Sequence, residues 1–276
     1  MTEKNYGIIG KPLSHSLSPL LHNFWFKKNS IKANYTLIEI EIDQISSIID
    51  KIKKEELQGV NVTTPYKQAV IPFLDLIIND ARKTSSVNTI YLNNEGRVVG
   101  ENTDVYGFDY SFIKKIKDKD LLGKKILILG AGGVTPSIIY ALEKKKIKKI
   151  FISNRTVEKA ENIKKKFPFI EIVFWENINE KSHEMDIIIN ATSLGMKDGK
   201  NFQQTIKKFK TDLIYYDIVY NPLETTMLKN FKEKQIKVFN GLEMFLYQGQ
   251  KSFYLWNKIN PEINDELKKI MSFNLK

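Results

Sequence analysis

Ile126-Leu127-Ile128-Leu129-Gly130-Ala131-Gly132-Gly133-Val134 decides the fold, because an apolar run of strand length passes straight into a glycine turn. Val134 to Leu142 continues with Ile138, Ile139 and Leu142 at helical spacing, so the turn joins a buried strand to a helix. In that setting Gly130 permits a tight turn and Gly132 lets backbone approach a phosphate. The helix N-terminus adds unpaired N–H groups and the positive end of its dipole. The strict G-x-G-x-x-G spacing is not met, since Thr135 stands where the third glycine belongs. Strand before and helix after still favour a dinucleotide site over a plain strand–helix turn.

The next strand selects the dinucleotide. Ile150-Phe151-Ile152-Ser153 ends in Asn154-Arg155-Thr156, with no carboxylate at its tip. NAD-binding folds place an acidic residue about 20 positions beyond the turn, where it holds the ribose 2′-hydroxyl. A guanidinium with amide and hydroxyl donors suits a 2′-phosphate instead, which points to NADP.

Outward from this unit, strands and helices alternate in both directions, the pattern of an α/β protein with parallel sheets. Before it, strands are expected at Tyr6–Gly10, Tyr35–Ile40, Leu57–Val62 and Val87–Tyr91, with helices at Pro19–Lys27 and Ile42–Lys53. A lysine-rich helix from Asp104 to Lys119 closes this first series. The second series has strands at Lys125–Leu129, Lys149–Ser153, Ile170–Phe174, Asp186–Asn190, Leu213–Ile218 and Lys237–Asn240. Thr156 stands as N-cap before the helical pattern Val157, Ala160, Ile163, Phe167. Leu242–Lys269 reads as two helices split near Pro261 that return to the first unit. The expected organisation is therefore two α/β domains: residues 1–104 with 243–276, built on a mainly parallel sheet, and a Rossmann-type domain over 105–242.

The 276 residues, 42% hydrophobic and 27% charged, suit two folded cores. Cysteine is absent, which removes disulfides, thiolate nucleophiles and cysteine-held metal sites. His15, His22 and His183 lack metal-ligand spacing, so no metal is expected. No apolar run reaches the roughly 20 residues of a membrane helix. The polar start carries no signal peptide, and a cytoplasmic location follows by elimination. The net charge of +11 raises a basic nucleic-acid-binding protein as an alternative. The lysines recur in groups (Lys144 to Lys149, Lys164 to Lys166, Lys207 to Lys210) opposite apolar positions, as solvated helix faces do, so no nucleic-acid partner is expected.

Polar residues in the first series gather where strands end, the place at which open α/β sheets bind ligands. They are Ser14-His15-Ser16, Asn61-Val62-Thr63-Thr64-Pro65-Tyr66-Lys67, Val87-Asn88-Thr89 and Gly100-Glu101-Asn102-Thr103-Asp104. Hydroxyls, amides, a lysine and a carboxylate suit a polyhydroxylated carboxylic acid.

With these segments, nearly the whole chain resembles the shikimate dehydrogenase family. The resemblance rests also on Pro12 to Pro19, on the Gly130 turn and on Asn154-Arg155-Thr156. Further along it includes Asn190-Ala191-Thr192-Ser193-Leu194-Gly195-Met196, Asp217-Ile218-Val219-Tyr220-Asn221-Pro222, and Gly241-Leu242-Glu243-Met244 with Gln248. It implies NADPH-dependent, reversible reduction of 3-dehydroshikimate to shikimate by a monomer or homodimer acting on this small molecule. Lys67 and Asp104 would form the catalytic pair. Ser14 and Ser16 would hold the substrate carboxylate with Tyr220 nearby, and Asn61, Thr63, Asn88, Asp104 and Gln248 its ring hydroxyls. NADP would take Gly130, Ala131, Gly132, Gly133, Val134, Asn154, Arg155, Thr156 and Lys159, with Ile218 and Gly241 at the nicotinamide end. One departure is visible: where Asn79 aligns, some relatives carry a glutamate near the cofactor, and Asp80 is the neighbouring carboxylate. A quinate/shikimate dehydrogenase with relaxed cofactor use is the nearest alternative; Thr156, where those relatives tend to be acidic, counts against it.

Overall fold

Two six-stranded sheets, each with its own apolar core, organise the chain. The computed structural model describes every residue except 1–2, 117–120, 146, 148, 198, 201, 203–205 and 276. Its two compact units are Met1–Gly107 with Leu246–Asn274, and Phe108–Phe245 with Leu275–Lys276. The expected boundaries, after residues 104 and 242, lie three residues earlier at each junction.

The first unit runs β1 (Lys4–Gly10), α1 (Ser18–Lys28), β2 (Ala33–Glu39), α2 (Ile45–Lys53), β3 (Gly59–Val62), β4 (Leu76–Ile77), α3 (Asn79–Thr84), β5 (Thr89–Leu92), β6 (Val98–Glu101) and α4 (Asp104–Phe108). Its sheet order is β2-β1-β3-β5-β6-β4, and β5 is antiparallel to both β3 and β6. The sheet is therefore mixed. Neither β4 nor β6 was expected. β6 arises because Asn93 to Gly96 closes a hairpin: Gly96 adopts φ +70°, and the Asn93 N–H donates to the Arg97 carbonyl at 2.9 Å. Antiparallel pairing puts the start of β5 at the same sheet edge as the ends of β1, β3 and β6, so Asn88 lies in register beside the tip of β3. Ile45, Ile48, Ile49 and Ile52, at helical spacing on α2, pack under β3 and β5.

The expected helix from Asp104 divides into α4, a π-helical turn Asp109–Ile113 and α5 (Lys114–Ile116); its last residues, 117–119, lie outside the described ones. The second unit continues with β7 (Lys125–Leu129), α6 (Thr135–Glu143), β8 (Lys149–Ser153), α7 (Val157–Lys166), β9 (Glu171–Ile172), α8 (Ile178–Lys181), β10 (Ile187–Asn190), β11 (Ile214–Asp217), α9 (Thr226–Glu233) and β12 (Lys237–Phe239). These six strands are all parallel in the order β12-β11-β10-β7-β8-β9. Ile126 to Leu129 are completely buried, as a parallel strand covered on both faces requires. Thr156 occupies the N-cap of α7, but its side chain makes no capping bond. The strand expected over Ile170–Phe174 shrinks to the two residues of β9. Lys164 and Lys165 do face solvent from α7, whereas Lys207 to Lys210 lie in coil, where Lys210 pairs with Asp186 at 2.7 Å.

The chain ends in α10 (Leu242–Asn257) and α11 (Asp265–Phe273). From Leu246 onward these helices belong to the first unit, bound by Trp25 Nε1 donating to the Glu262 carbonyl and Trp256 Nε1 to that of Ile90.

Candidate active site

At the shared sheet edge of the first unit, Lys67 Nζ lies 2.5 Å from Asp104 Oδ2, both side chains largely buried at 13% and 8% exposure. The pairing is built by backbone and amides. The Val87 N–H donates to the Lys67 carbonyl at 2.8 Å, which ties the loop after β3 to the segment leading into β5. The Asp104 N–H donates to Asn102 Oδ1 at 3.0 Å, and Asn102 Nδ2 anchors that turn on the Ser86 carbonyl at 2.8 Å. Asn88 Nδ2 then donates to Asp104 Oδ1 at 2.9 Å, so each carboxylate oxygen has its own donor. Such charge-assisted bonds fix the carboxylate and hold the ammonium in place.

Behind Asn88 lies a buried hydroxyl cluster. Asn88 Oδ1 accepts from the Thr103 N–H at 2.7 Å and from the Thr103 and Thr89 hydroxyls at 3.1 Å each. Ser252 on α10 touches Thr89 at 2.8 Å, Thr103 at 3.2 Å and Asn61 Nδ2 at 3.0 Å, and donates to the Gln248 carbonyl at 3.0 Å. Asn61 Oδ1 accepts from the Tyr35 hydroxyl at 2.8 Å, and its amide serves protein oxygens. The Asn61 amide is thus held in the same buried network as Asn88. Thr63 stands half-buried at the tip of β3; Ser14 is exposed and Ser16 half-buried on the loop after β1, where Ser16 Oγ accepts from the Ser18 N–H.

Asn79 takes φ +50° at the start of α3 and donates from Nδ2 to Glu101 Oε1 at 3.3 Å. Glu101 is buried, also accepts from the Tyr91 hydroxyl, and burial pushes its carboxyl above the usual range. Glu101, on β6, is thus the carboxylate that Asn79 contacts, and the charge of the neighbouring Asp80 adds to the upward push.

In the second unit, Gly130 adopts φ +108°, and a Cβ there would stand 2.9 Å from Ala191 backbone. Only glycine fits that turn. Among the described residues nothing lies within 4 Å of where a Gly132 Cβ would be, which leaves open room beside the backbone at the start of α6. Thr135, the apparent substitute for a third glycine, is buried and donates its hydroxyl to the Gly130 carbonyl at 3.0 Å. Asn154 joins the two strand tips, its Oδ1 accepting from the Ala131 N–H at 3.0 Å and its Nδ2 donating to the Thr156 carbonyl at 2.8 Å. Arg155, Thr156 and Lys159 are exposed beyond that tip. An open glycine cradle at a helix N-terminus with cations at the neighbouring tip fits a dinucleotide carrying an extra phosphate. Ile218 and Gly241 adjoin one another, and Tyr220 stacks on Phe245 with centroids 4.6 Å apart.

The structure brings Lys67, Asp104, Asn88 and Asn61 into one network of the first unit, and Ser252 ties the Gln248 backbone carbonyl to it. It gathers the Gly130 turn and Asn154 into another in the second. Sequence reasoning missed Ser252, and it placed Glu101 and Thr103 among the polar residues at strand ends without giving either a role.

Two family models match the chain: the shikimate dehydrogenase substrate binding domain over residues 8–90, and shikimate / quinate 5-dehydrogenase over residues 112–232. The shikimate dehydrogenase (NADP(+)) of Pelagibacter ubique is 45% identical over 264 residues, covering 96% of this chain and 97% of that one. The crystal structure of shikimate dehydrogenase from Aquifex aeolicus superposes with a TM-score of 0.87 at 36% identity, covering 98% of this chain and 97% of that one. The Thermus thermophilus enzyme in complex with NADP(H) and shikimate gives 0.83 at 28% identity, covering 99% and 98%. The chain belongs to the shikimate dehydrogenase family.

Proposed function

We propose that the chain catalyses the reversible, NADPH-dependent reduction of 3-dehydroshikimate to shikimate, a step toward chorismate and the aromatic amino acids. The observation that carries this reading is the Lys67–Asp104 pair, 2.5 Å apart and braced by Asn88. NADPH, when bound, supplies the hydride. Lys67 Nζ stands as the general acid, giving a proton to the substrate oxygen as that oxygen gains charge, and its ammonium stabilises the developing alkoxide. Asp104 orients Lys67 and, with Asn61, Thr63, Asn88 and Gln248, binds ring hydroxyls, while Ser14 and Ser16 hold the carboxylate. The Gly130–Val134 turn holds the pyrophosphate, Arg155, Thr156 and Lys159 the 2′-phosphate, and Ile218 and Gly241 line the nicotinamide end. The first unit is then the substrate domain and the second the NADP domain of a cytoplasmic monomer or homodimer.

The direct test follows NADP reduction with shikimate and with quinate as substrates. Turnover of shikimate well above quinate supports the reading; comparable quinate turnover replaces it with a quinate/shikimate dehydrogenase, and no turnover of either removes it.

A further inference from the structure

Two runs singled out in the sequence, Asn190 to Met196 and Asp217 to Pro222, carry polar residues that the reaction above leaves unused. Asn190 and Asp217 are both 0% exposed and face each other in register at the ends of the parallel strands β10 and β11. A buried carboxylate is costly unless its lone pairs are filled. Here they are. Asp217 Oδ1 accepts from Asn190 Nδ2 at 2.9 Å and from the Val219 N–H at 3.0 Å. Oδ2 accepts from the Thr225 hydroxyl at 2.7 Å and the Tyr215 hydroxyl at 3.1 Å.

Three of these donors lead to separate segments. Asn190 Oδ1 accepts from the Thr192 N–H and hydroxyl at 3.0 and 2.7 Å, and its Nδ2 reaches the Leu194 carbonyl at 3.2 Å, which sets the loop after β10. Thr225 caps α9 by accepting from the Leu228 N–H at 3.2 Å. Val219 follows Ile218, and its carbonyl accepts the Gly241 N–H at 3.0 Å. A Cβ on Gly241 would sit 1.9 Å from the Ile218 carbonyl oxygen, so these two backbones touch. Asp217 is thus the post to which the β10 loop, the start of α9 and the Ile218–Gly241 contact are all tied.

We propose that Asp217 is a positioning residue for the nicotinamide half of NADP, holding Ile218 and Gly241 in the backbone arrangement that receives the ring without itself touching the cofactor. The proposal rests on the assignment of Ile218 and Gly241 made above. Burial pushes the Asp217 carboxyl up to about 6 despite its donors, so the fold keeps this group at a cost.

The test is calorimetric titration of the protein with NADP and, separately, with adenosine 2′,5′-bisphosphate, which keeps the 2′-phosphate and lacks the nicotinamide. Asp217→Asn is isosteric but turns an acceptor into a donor facing other donors. It is expected to weaken NADP binding about tenfold or more while bisphosphate binding stays within about twofold. Equal weakening of both ligands, or no change in either, overturns the proposal. Should Asp217→Asn fail to fold, Thr225→Val and Thr225→Ser provide the same contrast. Loss of NADP affinity with Val and its retention with Ser support the role; equal behaviour of the two overturns it. Gly241→Ala examines the underlying assignment independently. If it leaves both affinities unchanged, the ring does not lie against Gly241, whatever Asp217→Asn shows.

Discussion

Lys67 Nζ and Asp104 Oδ2 stand 2.5 Å apart, and the second oxygen of that carboxylate is already claimed by Asn88. An ammonium so placed faces a fixed anion and has N–H groups left for substrate. Lys67→Ala is therefore expected to lower kcat by about 100-fold or more, with a smaller change in KM for shikimate. Steady-state kinetics decide it: a kcat near that of the unmutated protein removes Lys67 from the proton transfer.

Arg155 lies exposed at the tip of β8, one residue beyond the Asn154 that binds the glycine turn. On the function proposed above, a guanidinium there would act on the 2′-phosphate alone. Arg155→Ala is expected to reduce kcat/KM with NADPH by about tenfold or more and leave that with NADH nearly unchanged. Equal use of NADPH and NADH before mutation contradicts the assignment.

Gly130 and Gly132 separate folding from binding. Alanine at Gly130 meets Ala191 backbone at φ +108°, whereas alanine at Gly132 meets nothing within 4 Å among the described residues. Gly130→Ala should lower stability by about 1 kcal/mol or more in denaturant unfolding. Gly132→Ala should leave the unfolding midpoint unchanged but weaken NADP binding, because its methyl fills the room through which phosphate approaches backbone.

Ser252 is a hub that no short motif contains. Ser252→Ala removes the hydroxyl shared by Asn61, Thr89 and Thr103, and so loosens the floor beneath Asn88. Losing about 1 kcal/mol of ordering corresponds to roughly fivefold, expected as a rise in KM for shikimate. NADP affinity, measured by titration, is expected to stay the same, since every partner of Ser252 lies in the first unit.

The legibility of these features follows from how they are built. β7 and β10 are buried on both faces, so each appears in the sequence as an unbroken apolar run. β4 has two residues and no period to detect, and β6 could have been found only from the Asn93–Gly96 turn before it. At the site, lysine and carboxylate announce themselves at strand ends. Ser252 does not, because its contacts join residues 149 to 191 positions apart in sequence. Thr135 reads as a defect in a glycine pattern, yet its hydroxyl closes the turn on Gly130.

His22 gives a prediction about acid stability. It is fully buried, stacked on Tyr35 with centroids 4.4 Å apart, and neither ring nitrogen has a hydrogen-bond partner among the described residues. Burial lowers its pKa from 6.5 to about 3. Below pH 6.5 the unfolded chain takes up a proton at this site that the folded chain refuses, so stability falls as pH drops from about 6.5 toward 3. Each unit in that window costs about 1.4 kcal/mol from this group. His22→Phe keeps an aromatic ring against Tyr35 and removes the titration. Urea unfolding from pH 7 to 4 should show a shallower loss of stability for the variant, and identical slopes for the two proteins exclude His22 as the acid-sensitive group.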